Sequence, residues 1–322
     1  MLFCARVALG EGGGLDALRA AGDRLYRQDY VAACSIAAAR LKHDRDDPTG
    51  LLIQANAVRT LIYDSGDPTL SDSFYGLCSR LDAACRARLA RRPGDAWARF
   101  CLGTGLLNQA EMLGWQQQYL SALVKTAAVP GLLNRALALD PDLVDCWLGL
   151  GMVEFFKAQS RRYTLGVALF GSASAAAREV TRTATGGGAL VNAAWFALAF
   201  MAKEDGRPAE AVRRCDVLLL KYPGNRVALR LLRDALYEAG DHVRTIEVGA
   251  EVERSIRASY PDNLYGLTEN WLKCGKARLK LGQKATAAAD FRRIIGYEHR
   301  QDRVPWLRNY VAEARCLLKK TQ

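Results

Sequence analysis

The side chains able to do chemistry are few and widely spaced. Three histidines, His43, His242 and His299, stand alone, with no nucleophile or carboxylate placed to complete a catalytic set or a metal centre. Nine cysteines, Cys4, Cys34, Cys78, Cys85, Cys101, Cys146, Cys215, Cys274 and Cys316, form no CxxC pair. Most sit among alanines and leucines and read as buried, reduced thiols, which points to a reducing compartment. The acidic stretches Asp44 to Asp47 and Asp64 to Asp72 lack the alternating ligands, central glycine and closing glutamate of an EF-hand loop, so they read as helix caps and turns. Gly10 to Gly14 and Gly186 to Gly188 are not followed by Gly-Lys-Ser/Thr and predict flexible connections, the second a hinge, rather than phosphate cradles. No catalytic residue, metal ligand or cofactor is predicted, and what remains is binding.

Binding residues must be carried by helices. Apolar residues recur at i, i+3, i+4 and i+7 over 143–157, 189–204, 208–220, 226–239 and 264–281, and no segment alternates with period two. Breakers fall between these segments at Asp47-Pro48, Arg92-Pro93-Gly94, Asp140-Pro141, Tyr222-Pro223-Gly224 and Tyr260-Pro261. With 322 residues, 50% hydrophobic and 25% charged, the composition is that of a folded globular chain and excludes collagen-like, mucin-like and disordered classes. The longest apolar run, Ala189 to Ala202, is interrupted by Asn192 and closed by Lys203. It falls short of the ~20 residues that cross a bilayer, and no transmembrane segment is predicted. The start, MLFCARVALGEGGG, has no signal-peptide apolar core, which predicts a cytoplasmic protein as written; a leader lying upstream would direct the chain to the periplasm or envelope.

Internal repeats follow from the register. Trp195-x2-Leu198-Ala199 is followed by Gly206, Ala211, Cys215, Leu218 and Pro223. Trp147-x2-Leu150-Gly151 follows directly on the Ala136 to Pro141 ending of an earlier unit, and Trp271-x2-Cys274-Gly275 leads to Gly282, Ala287 and Phe291. The small residue of each motif has counterparts at Gly22, Ala55 and Gly103. Ala55, Gly103, Gly151 and Ala199 are spaced by 48; Arg233 lies 34 further on and Gly275 another 42. Arg233 stands where a small residue is expected, which predicts a looser, splayed helix junction there.

These motifs resemble the tetratricopeptide repeat (TPR) pattern over most of 15–295. The resemblance implies an all-α, right-handed superhelical solenoid of about six antiparallel helix pairs with a C-terminal capping helix from about Val304 to Leu318. The divisions expected are a flexible segment 1–14, irregular repeats over 15–188, further repeats over 189–300, and the capping helix and tail 301–322. The 48-residue spacings exceed the roughly 34 residues of a bare TPR unit and require longer helices or additional ones.

The same resemblance implies a non-catalytic protein-interaction scaffold and assigns the partner-binding, concave face to the first helix of each repeat. Its residues are Leu148, Met152 and Phe155, then Phe196, Phe200 and Lys203, then Arg230, Asp234 and Tyr237, then Leu272, Lys276 and Lys280. An aromatic stretch gives way to a mostly basic one, suited to a peptide or protein partner with apolar anchors and carboxylates. The paired lysine and asparagine positions of a carboxylate clamp are not reproduced. A purely structural role for Met152, Phe196 and Phe200, covered by 157–185, is the competing expectation. Residues 273–322 hold 13 Lys and Arg against four acidic residues, a net of +9. This gives an alternative function, binding of nucleic acid or another anionic polymer or surface through the basic C-terminal quarter, including Arg292 and Arg293. The sequence fixes no oligomeric state.

Overall fold

The computed structural model describes residues 5–159, 171–301 and 306–321, with side chains from residue 13 onward; Cys4 and Val304 lie outside them. Among the described residues the regular structure is helical throughout, with no strand. The helices are α1 (Ala5–Tyr26), α2 (Tyr30–His43), α3 (Pro48–Ser65), α4 (Ser71–Arg91), α5 (Ala96–Trp115), α6 (Tyr119–Ala127), α7 (Val129–Leu139) and α8 (Cys146–Gln159). They continue as α9 (Ala173–Thr185), α10 (Val191–Glu204), α11 (Pro208–Lys221), α12 (Arg226–Glu238), α13 (His242–Ser259), α14 (Leu264–Lys280), α15 (Lys284–Ile295) and α16 (Leu307–Lys319).

The acidic and amide residues at the breakers start these helices. Asp29, Asp95, Asn225, Asp241 and Asn263 each accept a hydrogen bond from the backbone N–H three residues on, satisfying one of the donors a helix start leaves open. In two repeats an arginine from the preceding helix holds the capping carboxylate: Arg40 Nε lies 2.6 Å from Asp47 and Arg88 Nε 2.5 Å from Asp95. The Asp44 to Asp47 run is therefore cap and turn chemistry, as its composition suggests, whereas Asp64 of the second run is a buried partner of Arg226.

The chain divides into two compact units. The first comprises Met1–Leu61 and Thr69–Met201, the second Ile62–Pro68 and Ala202–Gln322. In the first, α1 packs on α2, α4 on α5, α5 on both α6 and α7, α7 on α8 and α8 on α9. Leu51, Phe100, Leu133, Val153 and Val180 lie in its core. In the second, α11 to α15 pack each on its chain neighbour, and α16 covers α14 and α15 with Leu307, Val311 and Ala314 buried. Each unit is thus an all-α array of helix hairpins stacked in chain order.

The repeat register survives in the contacts. A Cβ on Gly151 would come within 2.6 Å of Val180 on α9, one on Gly103 within 2.7 Å of Leu133 on α7, and one on Gly275 within 2.6 Å of Phe291 on α15. The long spacings have different sources: α4 has 21 residues, whereas α6 is an additional helix between α5 and α7.

Several expectations need correction. In the glycine-rich stretch before residue 15, α1 already runs from Ala5. Its glycines permit close approach, a Cβ on Gly14 falling 3.0 Å from the Trp97 indole. Gly186 to Gly188 is a pinned turn rather than a hinge. The Asp145 carboxylate accepts from Ala189 N at 2.9 Å and Leu190 N at 2.8 Å, and Gly187 O accepts from Arg19. The Arg233 junction is not splayed: its side chain is fully buried and α12 packs directly on α13. Finally, Tyr119–Leu139, passed over in the sequence, is a stretch long and apolar enough to cross a membrane by length and composition; it is divided between α6 and α7.

Candidate functional site

The expected binding residues fall into two groups, one in each unit. In the first, α8 and α10 carry the aromatic stretch. Phe155 is 2% exposed and packs edge-on to Phe200, with ring centroids 5.9 Å apart. Met152 is also core. Leu148, Phe196 and Phe200 keep partial exposure, so the reachable part of this stripe is narrower than the register implies. The helix that follows, α9, covers the neighbouring side of α8, and Ser172 N donates to Glu154 at its approach.

In the second unit the expected basic residues are largely paired within the chain. Lys203 sits 2.7 Å from Glu204 and 3.3 Å from Glu238. Lys276 reaches Glu313 of α16 at 2.5 Å, and Lys273 lies 3.4 Å from Asp234 and over the Tyr237 ring. Leu272 is core and Lys280 is exposed. Arg278 pairs with Asp290 and Arg315 with Glu298, which tempers the basic C-terminal surface.

Between α12 and α14 lies a buried charge network. Arg230 Nε bonds Glu269 at 2.8 Å; Arg233 reaches Glu269 at 3.2 Å, Asp234 at 2.9 Å and Asn270 Oδ1 at 3.0 Å. Burial by itself would raise the Glu269 carboxyl, but Arg230 and Arg233 more than offset this and hold it well below the usual carboxylate range. Burial would lower the Arg233 guanidinium, and Asp234 with Glu269 reverse that as well. Other buried carboxyls go the other way: burial pushes Glu111 up despite Arg59 and Asp145 up despite its two backbone donors in the first unit, and Asp290 up despite Arg278 in the second.

The same helices hold residues 62–68. Gly66 takes a left-handed conformation (φ 66°) and its N–H donates to Ile62 O, ending α3 with a glycine cap. The carbonyls of the last helical turn, which have no partner within α3, are taken by side chains of the second unit. Arg230 Nη1 donates to Tyr63 O at 2.7 Å, Asn263 Nδ2 to Asp64 O at 2.9 Å and Trp306 Nε1 to Gly66 O at 3.3 Å. The Asp64 carboxylate, 1% exposed, is gripped bidentately by Arg226, whose other nitrogen meets Ser255 and Ser259. Tyr265 closes over Gly66, so near that a Cβ there would fall 2.2 Å from the ring, and Trp306 packs on Tyr265 with centroids 4.8 Å apart.

Of these groups Arg230 was singled out from sequence as a binding residue and Asp64 only as part of an acidic stretch read as caps and turns; Gly66, Arg226, Asn263, Tyr265 and Trp306 were not. The available signals were local: an apolar helical run ending in Asp64-Ser65-Gly66 is a helix stop, and Asn225 and Asn263 open successive helices. The partnership between them spans 162 positions for Asp64 and Arg226, and no spacing rule connects them.

A scan against protein-family models finds no match, and a search of curated proteins finds none. Among solved structures, the chain is similar to a thermophilic TPR protein of Thermus thermophilus, with 18% identity over 70% of this chain and 99% of that one and a TM-score of 0.42. It is also similar to a tetratricopeptide repeat protein of Parabacteroides merdae, with 16% identity over 92% and 98% of the two chains and a TM-score of 0.42. The TPR-like, helical-repeat character of the fold rests on the hairpin contacts of this chain: Gly103, Gly151 and Gly275 each meet a later helix of the same unit where the repeat register places a helix junction.

Proposed function

We propose that this chain is a non-catalytic helical-repeat scaffold that holds a protein or peptide partner of acidic character on the exposed parts of its first-helix faces. The observation that supports this is the capture of residues 62–68 on α12 and α14. There, side chains satisfy backbone carbonyls and a carboxylate of a segment remote in sequence, the contacts a bound polypeptide would also offer. In the first unit, Leu148, Phe196 and Phe200 are the half-exposed anchors such a partner would cover. In the second, Lys280 is the exposed cation at the end of the stripe.

The test is affinity capture on the purified chain, run in parallel at roughly 50 and 200 mM salt and with the Phe196→Ala, Phe200→Ala double variant. A discrete protein that stays bound at the higher salt and is lost with the variant is expected. Recovery of nucleic acid or another anionic polymer, stripped by salt and indifferent to the variant, would replace this reading with binding through the basic residues of 273–322.

A further inference from the structure

We infer that the second unit carries a receptor for the C-terminal end of an acidic helix, and that residues 62–68 are its resident, exchangeable occupant. This deepens the scaffold reading and rests on it.

Each part of the receptor answers a feature of a helix end. The last carbonyls of a helix lack internal partners and carry the negative pole of its dipole. Here Arg230, Asn263 and Trp306 donate to three carbonyls of that end, and the guanidinium of Arg230 lies at the negative pole. Arg226 is 4% exposed and has a carboxylate opposite it; a neutral helix end would leave this buried cation without its counter-charge, so the receptor selects an acid. Two residues beyond the acid, the left-handed backbone and the close approach of Tyr265 admit only glycine. The ligand chemistry is therefore a helix ending in acid-x-Gly, which Asp64-Ser65-Gly66 supplies.

Exchange is favoured by how the occupant is held. The residues on both sides of Ile62–Pro68 belong to the first unit's fold, so the segment is an isolated piece of chain within the second. Arg226, Arg230, Asn263 and Trp306 hold three of its backbone carbonyls and one carboxylate, groups that any helix of the same ending duplicates. Of its side chains only those of Ile62 and Asp64 are buried. A partner with that ending would take the same four donors in its place, and the partner reading then acquires a defined competitor within the chain.

The experiment uses the full chain and a fluorescently labelled peptide with the sequence of residues 54–68, QANAVRTLIYDSGDP, blocked at both ends. The Asp64→Ala, Gly66→Ala double variant, whose own segment no longer fits, should bind the peptide at least tenfold more tightly than the unaltered chain does. Adding Arg226→Gln should return binding to the unaltered level, and a peptide with Asn in place of the aspartate should bind no better than that level. Equal binding by the unaltered chain and the double variant, or none by either, with helical content retained, overturns the proposal. Should the double variant lose its fold, hydrogen exchange on the unaltered chain decides. Amides of 62–66 exchanging at least tenfold faster than those of α12 and α14 support an occupant that leaves by itself. Exchange only together with those helices makes the segment a fixed part of the unit and ends the proposal. Failure here leaves the Phe196 and Phe200 capture experiment untouched, and loss of that capture leaves peptide binding by the opened receptor intact, so the two readings fail separately.

Discussion

One junction of the second unit solves a packing problem in the opposite way to the junctions of the first. Where the first and second helices of a repeat touch, the first unit removes side chain: Gly103 admits Leu133, and Gly151 admits Val180 and the carbonyl of Ala176. At the same register position the second unit keeps glycine at Gly275, against Phe291, but in the preceding repeat has Arg233, fully buried and held by Asp234, Glu269 and Asn270. One helix on, the small residue reappears: Gly249 of α13 lies against Cys274 and Asn270 of α14. A repeat junction thus requires that facing volumes sum correctly and that every buried polar group has a partner, rather than that a given position be small. The difference also sorts roles. Apolar contact carries stability without direction, whereas buried ion pairs contribute little net stability but strongly disfavour any arrangement that leaves one member alone.

That contrast can be broken by exchanging the solutions. Arg233→Gly gives the second unit the first unit's residue and leaves Glu269 and Asp234 with less counter-charge. We expect a loss of about 3–5 kcal/mol, the cost of breaking a buried pair from one side, read from urea unfolding. A loss under about 1 kcal/mol would show that surface-like pairs, not a buried network, hold α12 to α14. The reciprocal change, Gly151→Val, drives methyl groups into Val180 and should cost about 1–3 kcal/mol through overpacking. Thiol labelling near pH 8 assigns each loss to its unit. Burial pushes the Cys146 thiol of the first unit to about 12 and the Cys274 thiol of the second to about 11, so both react only on opening. Arg233→Gly should expose Cys274 before Cys146, and Gly151→Val the reverse. The smallest effect is expected on the surface of α6, where Leu120 and Val124 are 76% and 74% exposed. Replacing both by Ser should change stability by no more than about 0.5 kcal/mol while raising the concentration at which the chain stays dispersed in light scattering.

The parts of the fold set by local rules were legible in the sequence. Helix periodicity, the Asp and Asn caps and the junction glycines depend on neighbours within a turn or a repeat, and Gly151 and Gly275 meet the helices that the register assigns to them. The expected hinge at Gly186 to Gly188 failed because the carboxylate that pins it, Asp145, lies more than forty positions earlier in the chain. The splayed junction at Arg233 failed because its side chain was judged without Asp234 beside it and Glu269 and Asn270 of α14, which pair it when buried. The aromatic stripe was read from one helix face; α9 and the packing of Phe155 on Phe200 decide which of its members stay reachable. The segment 62–68 was legible as a helix stop and nothing more. Its receptor is assembled from α12, α14 and α16, and pairings between residues so distant in sequence leave no periodicity to detect.

The central claim, that a buried arginine network orders the α12–α14 junction of the second unit where the first unit relies on small residues, makes opposite predictions for acid. The Glu269 carboxyl lies below its unfolded value of about 4.3, so its contribution is present above that pH and is lost as pH falls through the folded value. Glu111 and Asp145 are raised by burial, so their contribution is present below the unfolded value and is lost as pH rises through the folded one. Hydrogen exchange of the unaltered chain, corrected for intrinsic rates and compared between about pH 6.5 and about pH 3.5, reads both at once in α14, which carries Glu269, and α5, which carries Glu111. Acidification should lower the protection of α14 relative to that of α5. Equal changes in the two helices, or a larger loss in α5, would contradict the account.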